Sequence, residues 1–227
     1  MAVINKIGIE KAEGMIFTFT DYSSGMVEAA KVAVTEVLPN HTNLNFQVED
    51  VQEVHIPSDS HDLVACMFGY FVPDRFKAFS EVCRLTKSSG VSVIGTWKYA
   101  GLMFMTEEFY RFIGCIPQDE TSESFKLGTS CSDPVKLHAE LIESGFREIT
   151  IHEPSDIFPI PLSPEFTKLW MQNPMVKPQL AGYDPDFLYS EWMKLVTQGV
   201  LEGRFKADLE LNVLYVEYTA LVCFARK

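Results

Sequence analysis

No apolar run in this 227-residue sequence approaches the about 20 residues needed to cross a bilayer. The N-terminus lacks the basic-then-apolar order of a secretory leader. Cysteine is sparse: Cys66, Cys83, Cys115, Cys131 and Cys223 are odd in number, widely spaced and never arranged as Cys-x-x-Cys. This pattern excludes a zinc knuckle and a disulfide framework, so no metal is expected, and isolated thiols fit a reducing compartment. Positive charge is also short, with 19 Lys and Arg against 31 Asp and Glu and a net charge of -12. Nucleic acid or an anionic membrane would demand a basic face, so neither is expected as a partner. Internal repeats and low-complexity tracts are absent. By elimination the expected compartment is the cytoplasm.

What is present fits one domain over residues 1–227, with 47% apolar and 22% charged residues and length enough for a real core. Residues 2–13 read as a short helix ended by Gly14. Residues 15–20 (MIFTFT) read as a buried strand stopping at Asp21. Ser23 or Ser24 then caps a helix whose Met26, Ala29, Ala30, Ala33, Val34 and Val37 form an apolar stripe. Leu44, Phe46 and Val48 alternate in a second strand that ends in Glu49-Asp50. Residues 63–68 (LVACMF) read as a fully buried third strand, residues 73–87 as a helix closed by Ser88-Ser89-Gly90, and residues 91–96 as a fourth strand. Residues 98–130 are rich in aromatics, without a clear strand. Asp133-Pro134 opens a helix that ends at Gly145, and residues 146–151 form a fifth strand. Residues 153–206, with seven prolines, read as a helical insertion before a long terminal β run at 209–224.

Alternation of strand and helix predicts an α/β fold with a parallel sheet and helices on both faces. Ligands of such sheets sit beyond the carboxyl ends of the strands. The candidate residues are therefore Asp21, Asp50, the segment 67–71 and Trp97.

Four segments carry a resemblance: Thr20 to Met26 (TDYSSGM), Gln47 to Val51 (QVEDV), Ser60 to Val64 (SHDLV), and Phe79 to Gly90 (FSEVCRLTKSSG). In this order and spacing they resemble the class I S-adenosylmethionine-dependent methyltransferases, of the type 11 or ubiquinone-biosynthesis-like group. The resemblance implies a Rossmann-like three-layer sheet, S-adenosylmethionine as cofactor and methyl transfer to a small molecule. It implies that Asp21 accepts hydrogen bonds from the ribose hydroxyls, as a carboxylate does well, or else caps the following helix. Tyr22 lies beside it. Met26 lies on the adenine face or in the core. Asp50 and the Val51 amide read the adenine, or Asp50 is a turn acid, with Glu49 a weaker substitute. Met67 faces the cofactor or the core, and Tyr70, Phe71 and Trp97 wall a substrate pocket, with Gly69 allowing close approach.

The family's glycine-rich loop, D-x-G-x-G-x-G, has no counterpart in residues 1–20, where Gly8 and Gly14 stand alone. The expected sheet therefore lacks its first strand, and a functional enzyme requires that the cofactor site be complete. Two rival readings follow: a non-catalytic methyltransferase-like binding or partner protein, and a nicotinamide oxidoreductase using Asp21 on a ribose. His41, His55, His61, His138 and His152 read as surface residues, so no general base is named. The aromatics of 98–130 and 153–206 form either a lid over a small apolar or aromatic substrate or the core of a helical subdomain. A homo-oligomer stays open.

Overall fold

The computed structural model of the chain describes residues 12, 14–67 and 72–227. The expected helix at 2–13 and the candidates Gly69, Tyr70 and Phe71 lie outside the described residues, apart from Ala12 at the helix end.

Two parallel strands, β1 (Phe17–Asp21) and β2 (Leu44–Val48), form a small sheet. Phe17 and Phe19 recur at the two-residue period of a strand, and Phe19 stacks on Phe46 with ring centroids 5.2 Å apart. Helix α1 (Ser24–Val37) joins them, its N-cap Ser23 accepting from the Met26 amide. It packs on this sheet through Val34, Val37 and Leu38, and His41 and Ala12 close the unit. Half of the expected apolar stripe is in solvent: Met26, Ala29 and Ala33 are exposed, whereas Ala30, Val34 and Val37 are buried or half-buried. Two strands are too narrow to cover a full helix face.

The main sheet runs β3-β4-β8-β5, with β6 and β7 also paired to β8. β3 (His61–Met67) and β4 (Thr86–Ala100) are parallel. β8 (Val213–Arg226) is antiparallel to β4, β5 (Glu148–His152), β6 (Ser155–Pro161) and β7 (Lys206–Asp208). The sheet is therefore mixed, where sequence alternation suggested a parallel one. β8 enters from the helical insertion at the far end and must run backwards. Ser88-Ser89-Gly90 does not end a helix. Helix α2 (Arg75–Leu85) stops at Thr86, and residues 87–90 loop out between the pairings His61↔Thr86 and Leu63↔Val91.

Helix α2 and helix α5 (Pro134–Glu143) cover one face of this sheet. Phe79, Val82, Leu137, Leu141 and Phe146 pack on Ile94, Leu221 and Cys223, joined by Val64 and Cys66. Arg75 on α2 makes a two-pronged ion pair with Glu140 on α5, at 2.9 and 2.6 Å. α5 follows its sequence signals closely, with Asp133 as N-cap, Pro134 in the first turn, and Gly145 at φ 110° after the end. The expectation of a fully buried third strand fails on one face: Leu63 and Met67 are each 53% exposed, because only the Val64–Cys66 side meets α2 and α5.

Between and after these strands lies a helical cap. It comprises α3 (Gly101–Phe112), α4 (Glu123–Gly128), α6 (Pro164–Met171) and α7 (Pro185–Leu201). Its core joins Met105, Phe109, Trp170, Trp192, Leu195 and Val196 to Leu214 and Val216 of β8. Phe109 and Trp192 meet edge to face at 5.5 Å, and Trp170 and Trp192 lie 4.8 Å apart. These insertion aromatics are therefore core. Among the described residues no helix is long and apolar enough to cross a membrane.

Candidate active site

β1 and β3 are not hydrogen-bonded to each other. They meet through side chains: His61 Nε2 comes within 3.5 Å of Thr18 Oγ1. Ser60 Oγ donates to Pro57 O at 2.6 Å and lies 2.8 Å from His61 Nδ1. With the hydroxyl hydrogen spent, Nδ1 must carry the proton and donate, which leaves Nε2 to accept from Thr18. His61 is thus a half-buried link between the sheets, where a plain surface residue was expected.

The expected site residues fall at strand ends as follows. Asp21 closes β1, and its Oδ1 accepts from the Ser23 amide at 2.8 Å. Oδ2 has no partner among the described residues. The helix cap is Ser23, so Asp21 holds the turn before it. Tyr22 is 78% and Met26 58% exposed, so both stand clear of the core beside Asp21. Asp50 follows β2, and both its oxygens are engaged by Gln52, Oδ1 by the amide at 2.8 Å and by Nε2 at 3.1 Å, Oδ2 by Nε2 at 3.2 Å. Those bonds, the backbone one foremost, hold its carboxyl below the usual range. This is the turn-acid arrangement. Val51 sits half-buried in the same turn. Met67 ends β3 with its thioether over Gly95 of β4, where an added Cβ would collide with it.

The motif E-x-x-R in α2 has a visible task. Glu81 and Arg84 pair at 2.7 and 2.8 Å, Arg84 donates to the carbonyls of Val54 and Ile56, and Glu81 accepts from the Val54 amide. The pair pins the loop after β2 to the helix before β4. Arg84, chiefly, draws the Glu81 carboxyl below its ordinary range.

Beside the carboxyl end of β4 lies a cavity of about 220 Å³. Trp97, Tyr110, Phe125, Trp170 and Tyr218 form its aromatic wall, and Thr106, Glu107, Ser122, Ser124 and Asn173 its polar groups. Trp97 packs on Tyr218 at 5.2 Å. Glu107, only 3% exposed, accepts from the Ser122 amide (2.8 Å) and Oγ (2.5 Å) and from Arg111 (3.1 Å). This ties α4 to α3. Sequence reasoning picked Trp97 but missed Glu107, Ser122 and Tyr218. The available signal was a Glu-x-x-x-Arg pair inside an otherwise apolar helical stretch.

With this geometry in place, the comparison with known proteins is informative. Residues 9–90 match the family profile described as "Methyltransferase domain". The profile covers little more than a third of the chain, so it marks a likeness to methyltransferase domains in that part. Over 82 residues the chain is 33% identical to the ubiquinone/menaquinone biosynthesis C-methyltransferase UbiE of Rickettsia massiliae and of Rickettsia conorii. The matched segment is 36% of this chain and covers 33% of each of those enzymes. The methyltransferase fold extends further than the segment. A Bacillus halodurans structure described as a candidate methyltransferase superposes with a TM-score of 0.55 at 11% identity, covering 92% of this chain and 82% of that one. The YcgJ protein of Bacillus subtilis gives 0.54 at 17% identity with the same coverage. A candidate methyltransferase from an antibiotic biosynthesis pathway of Anabaena variabilis gives 0.53 at 14% identity, covering 100% and 97%. The Rossmann-like fold shared with these structures thus extends over β4, β8 and the helical cap.

Proposed function

We propose that this chain performs S-adenosylmethionine-dependent methyl transfer to a small molecule. One observation carries the reading: Asp21 and Met67 end β1 and β3, Asp50 follows β2, and Trp97 and Ala100, at the carboxyl end of the adjoining strand β4, line the aromatic-walled cavity. Donor and acceptor sites at neighbouring strand ends are what group transfer requires.

The described residues suit the nucleoside end of the cofactor. Asp21 Oδ2 is an unengaged charged acceptor for ribose hydroxyls, and the exposed Tyr22 and Met26 offer an apolar surface for a flat base. Asp50 is already engaged by Gln52, so in this reading the Val51 amide is the better adenine contact. None of the described residues supplies a glycine-rich cradle for the carboxypropyl end. The cofactor supplies an electrophilic methyl on a sulfonium. The chain's own work is to orient the acceptor, exclude water and align the two sites for in-line displacement. Residues 98–130 and 153–206 serve as the lid over the acceptor, Phe125 and Trp170 being their contribution to its wall.

Calorimetric titration with S-adenosylhomocysteine tests this reading. Micromolar binding that weakens at least about tenfold in Asp21→Ala is expected, the loss of a charge-assisted hydrogen bond. Absence of binding at millimolar ligand overturns the reading.

A further inference from the structure

We propose that the cavity between α3 and the helical insertion takes a molecule with a single aromatic ring carrying a hydroxyl or amino group, the donor hydrogen being received at the Glu107 end. Its role as methyl acceptor rests on the reading above; the binding itself does not.

Size sets the first limit. An apolar cavity of about 150 Å³ takes up benzene, so about 220 Å³ has room for one substituted ring. The walls set the second. Trp97, Tyr110, Phe125, Trp170 and Tyr218 present faces and edges from several directions, the environment in which a ring gains most over an aliphatic group of equal size.

The polar end sets the third. Thr106 Oγ1 donates to Leu102 O at 2.6 Å, and Ser122 Oγ donates to Glu107 at 2.5 Å. Ser124 Oγ lies 3.2 Å from Ser122 Oγ. Since the Ser122 hydrogen is already committed, Ser124 must donate there. Every hydroxyl hydrogen at the Glu107 end is thus spent inside the protein, and what remains on offer is lone pairs. Glu107 Oε1 accepts two bonds and Oε2 only one, so Oε2 keeps capacity for one more donor. A ligand donor at Oε2 adds a hydrogen bond that a ligand without one cannot make. A cationic ligand is not called for, because Arg111 already balances the charge. At the exposed mouth Asn173 Oδ1 accepts from the Met175 amide, which turns its NH2 outward as a donor. An open hollow of about 410 Å³ shares Leu102, Trp170 and Asn173 with the cavity and can house a ring substituent.

The test is calorimetric titration of the intact chain with phenol and with anisole. These probes share the ring and differ in the donor. Phenol is expected to bind at least about tenfold more tightly. In Glu107→Gln the preference should shrink to within about threefold. Ser124→Trp, on a half-exposed residue that can change without unfolding the chain, should abolish binding of both and carries the test where Glu107→Gln does not fold. Equal binding of the two probes, no binding of phenol, or undiminished phenol binding in Ser124→Trp overturns the proposal. S-adenosylhomocysteine titrated in parallel reads the methyl-transfer function separately. Phenol selectivity without it leaves the ring site standing and removes the reaction, whereas its binding without phenol selectivity does the reverse.

Discussion

Glu49 and His55 hold each other across the turn after β2, with His55 Nδ1 3.0 Å and its amide 3.1 Å from Glu49 Oε2. The hydrogen bond to His55 lowers the Glu49 carboxyl, and the same bond raises the imidazole. A raised histidine contributes fully below its ordinary 6.5 and loses that contribution as pH climbs through its higher folded value. A lowered glutamate contributes above its ordinary 4.5 and loses it as pH falls through its lower folded value. The link is therefore at full strength between those two values. A proton NMR titration should place the His55 midpoint above 6.5, and Glu49→Gln should bring it back. A midpoint unchanged by that substitution would show the contact does not form in solution. Buried thiols behave oppositely: desolvation pushes Cys223 up to about 12 and raises Cys83 and Cys131, so all three should resist alkylation at neutral pH until the chain unfolds. At this scale the sequence showed which residues end strands, because an acid after an apolar run is a local signal. It did not show that Gln52 occupies both oxygens of Asp50, nor that Arg84 reaches back to Val54 and Ile56. Those partners are set by how the chain returns, and no periodicity records them.

Secondary-structure elements were legible where their boundaries are chemical. Asp133, Pro134 and Gly145 frame α5, and Ser23 opens α1. The junction of β4 and α3 has no such break. β4 runs on through Trp97 to Ala100, and α3 begins at once with Gly101. Residues 98–130 therefore showed no clear strand in the sequence, and the start of α3 went unmarked. Gly101 is there for packing: a Cβ would lie 2.7 Å from the Glu217 carbonyl oxygen and 2.6 Å from Val216 Cγ1 on β8. Because the first of these is backbone, relaxation requires moving the strand. Gly101→Ala should cost about 1–3 kcal/mol by overpacking, read as a lowered denaturant midpoint with unchanged slope. Gly95→Ala is the control, since it meets only the flexible end of Met67 and should cost clearly less. β8's direction was equally hidden. Its apolar run announces a strand, but whether that strand lies parallel or antiparallel depends on where the preceding 50 residues leave the chain.

Across the described residues, three apolar clusters divide the work. One lies under α2 and α5, one inside the helical cap, and one small one joins α1 to β1 and β2. β8 ties the first two together, since Leu214 and Val216 lie in the cap cluster while Leu221, Cys223 and Ala225 lie under α2 and α5. Among the described residues, the third is joined to the rest by the His61–Thr18 contact and by the loop that Glu81 and Arg84 pin. A small cluster with few ties opens at lower free energy than the body it adjoins. Hydrogen–deuterium exchange should find the amides of β1 and β2 turning over faster than those of β4 and β8, and equal protection would show that the two sheets open together. The seam between β1 and β3 has a consequence for how ligand occupancy is felt. Asp21 stands on one bank and Met67 on the other, so a molecule resting on both is a clasp. Its arrival would slow exchange in β1 without adding a single backbone hydrogen bond there. Its departure would let the smaller sheet breathe again, making release and loosening one event.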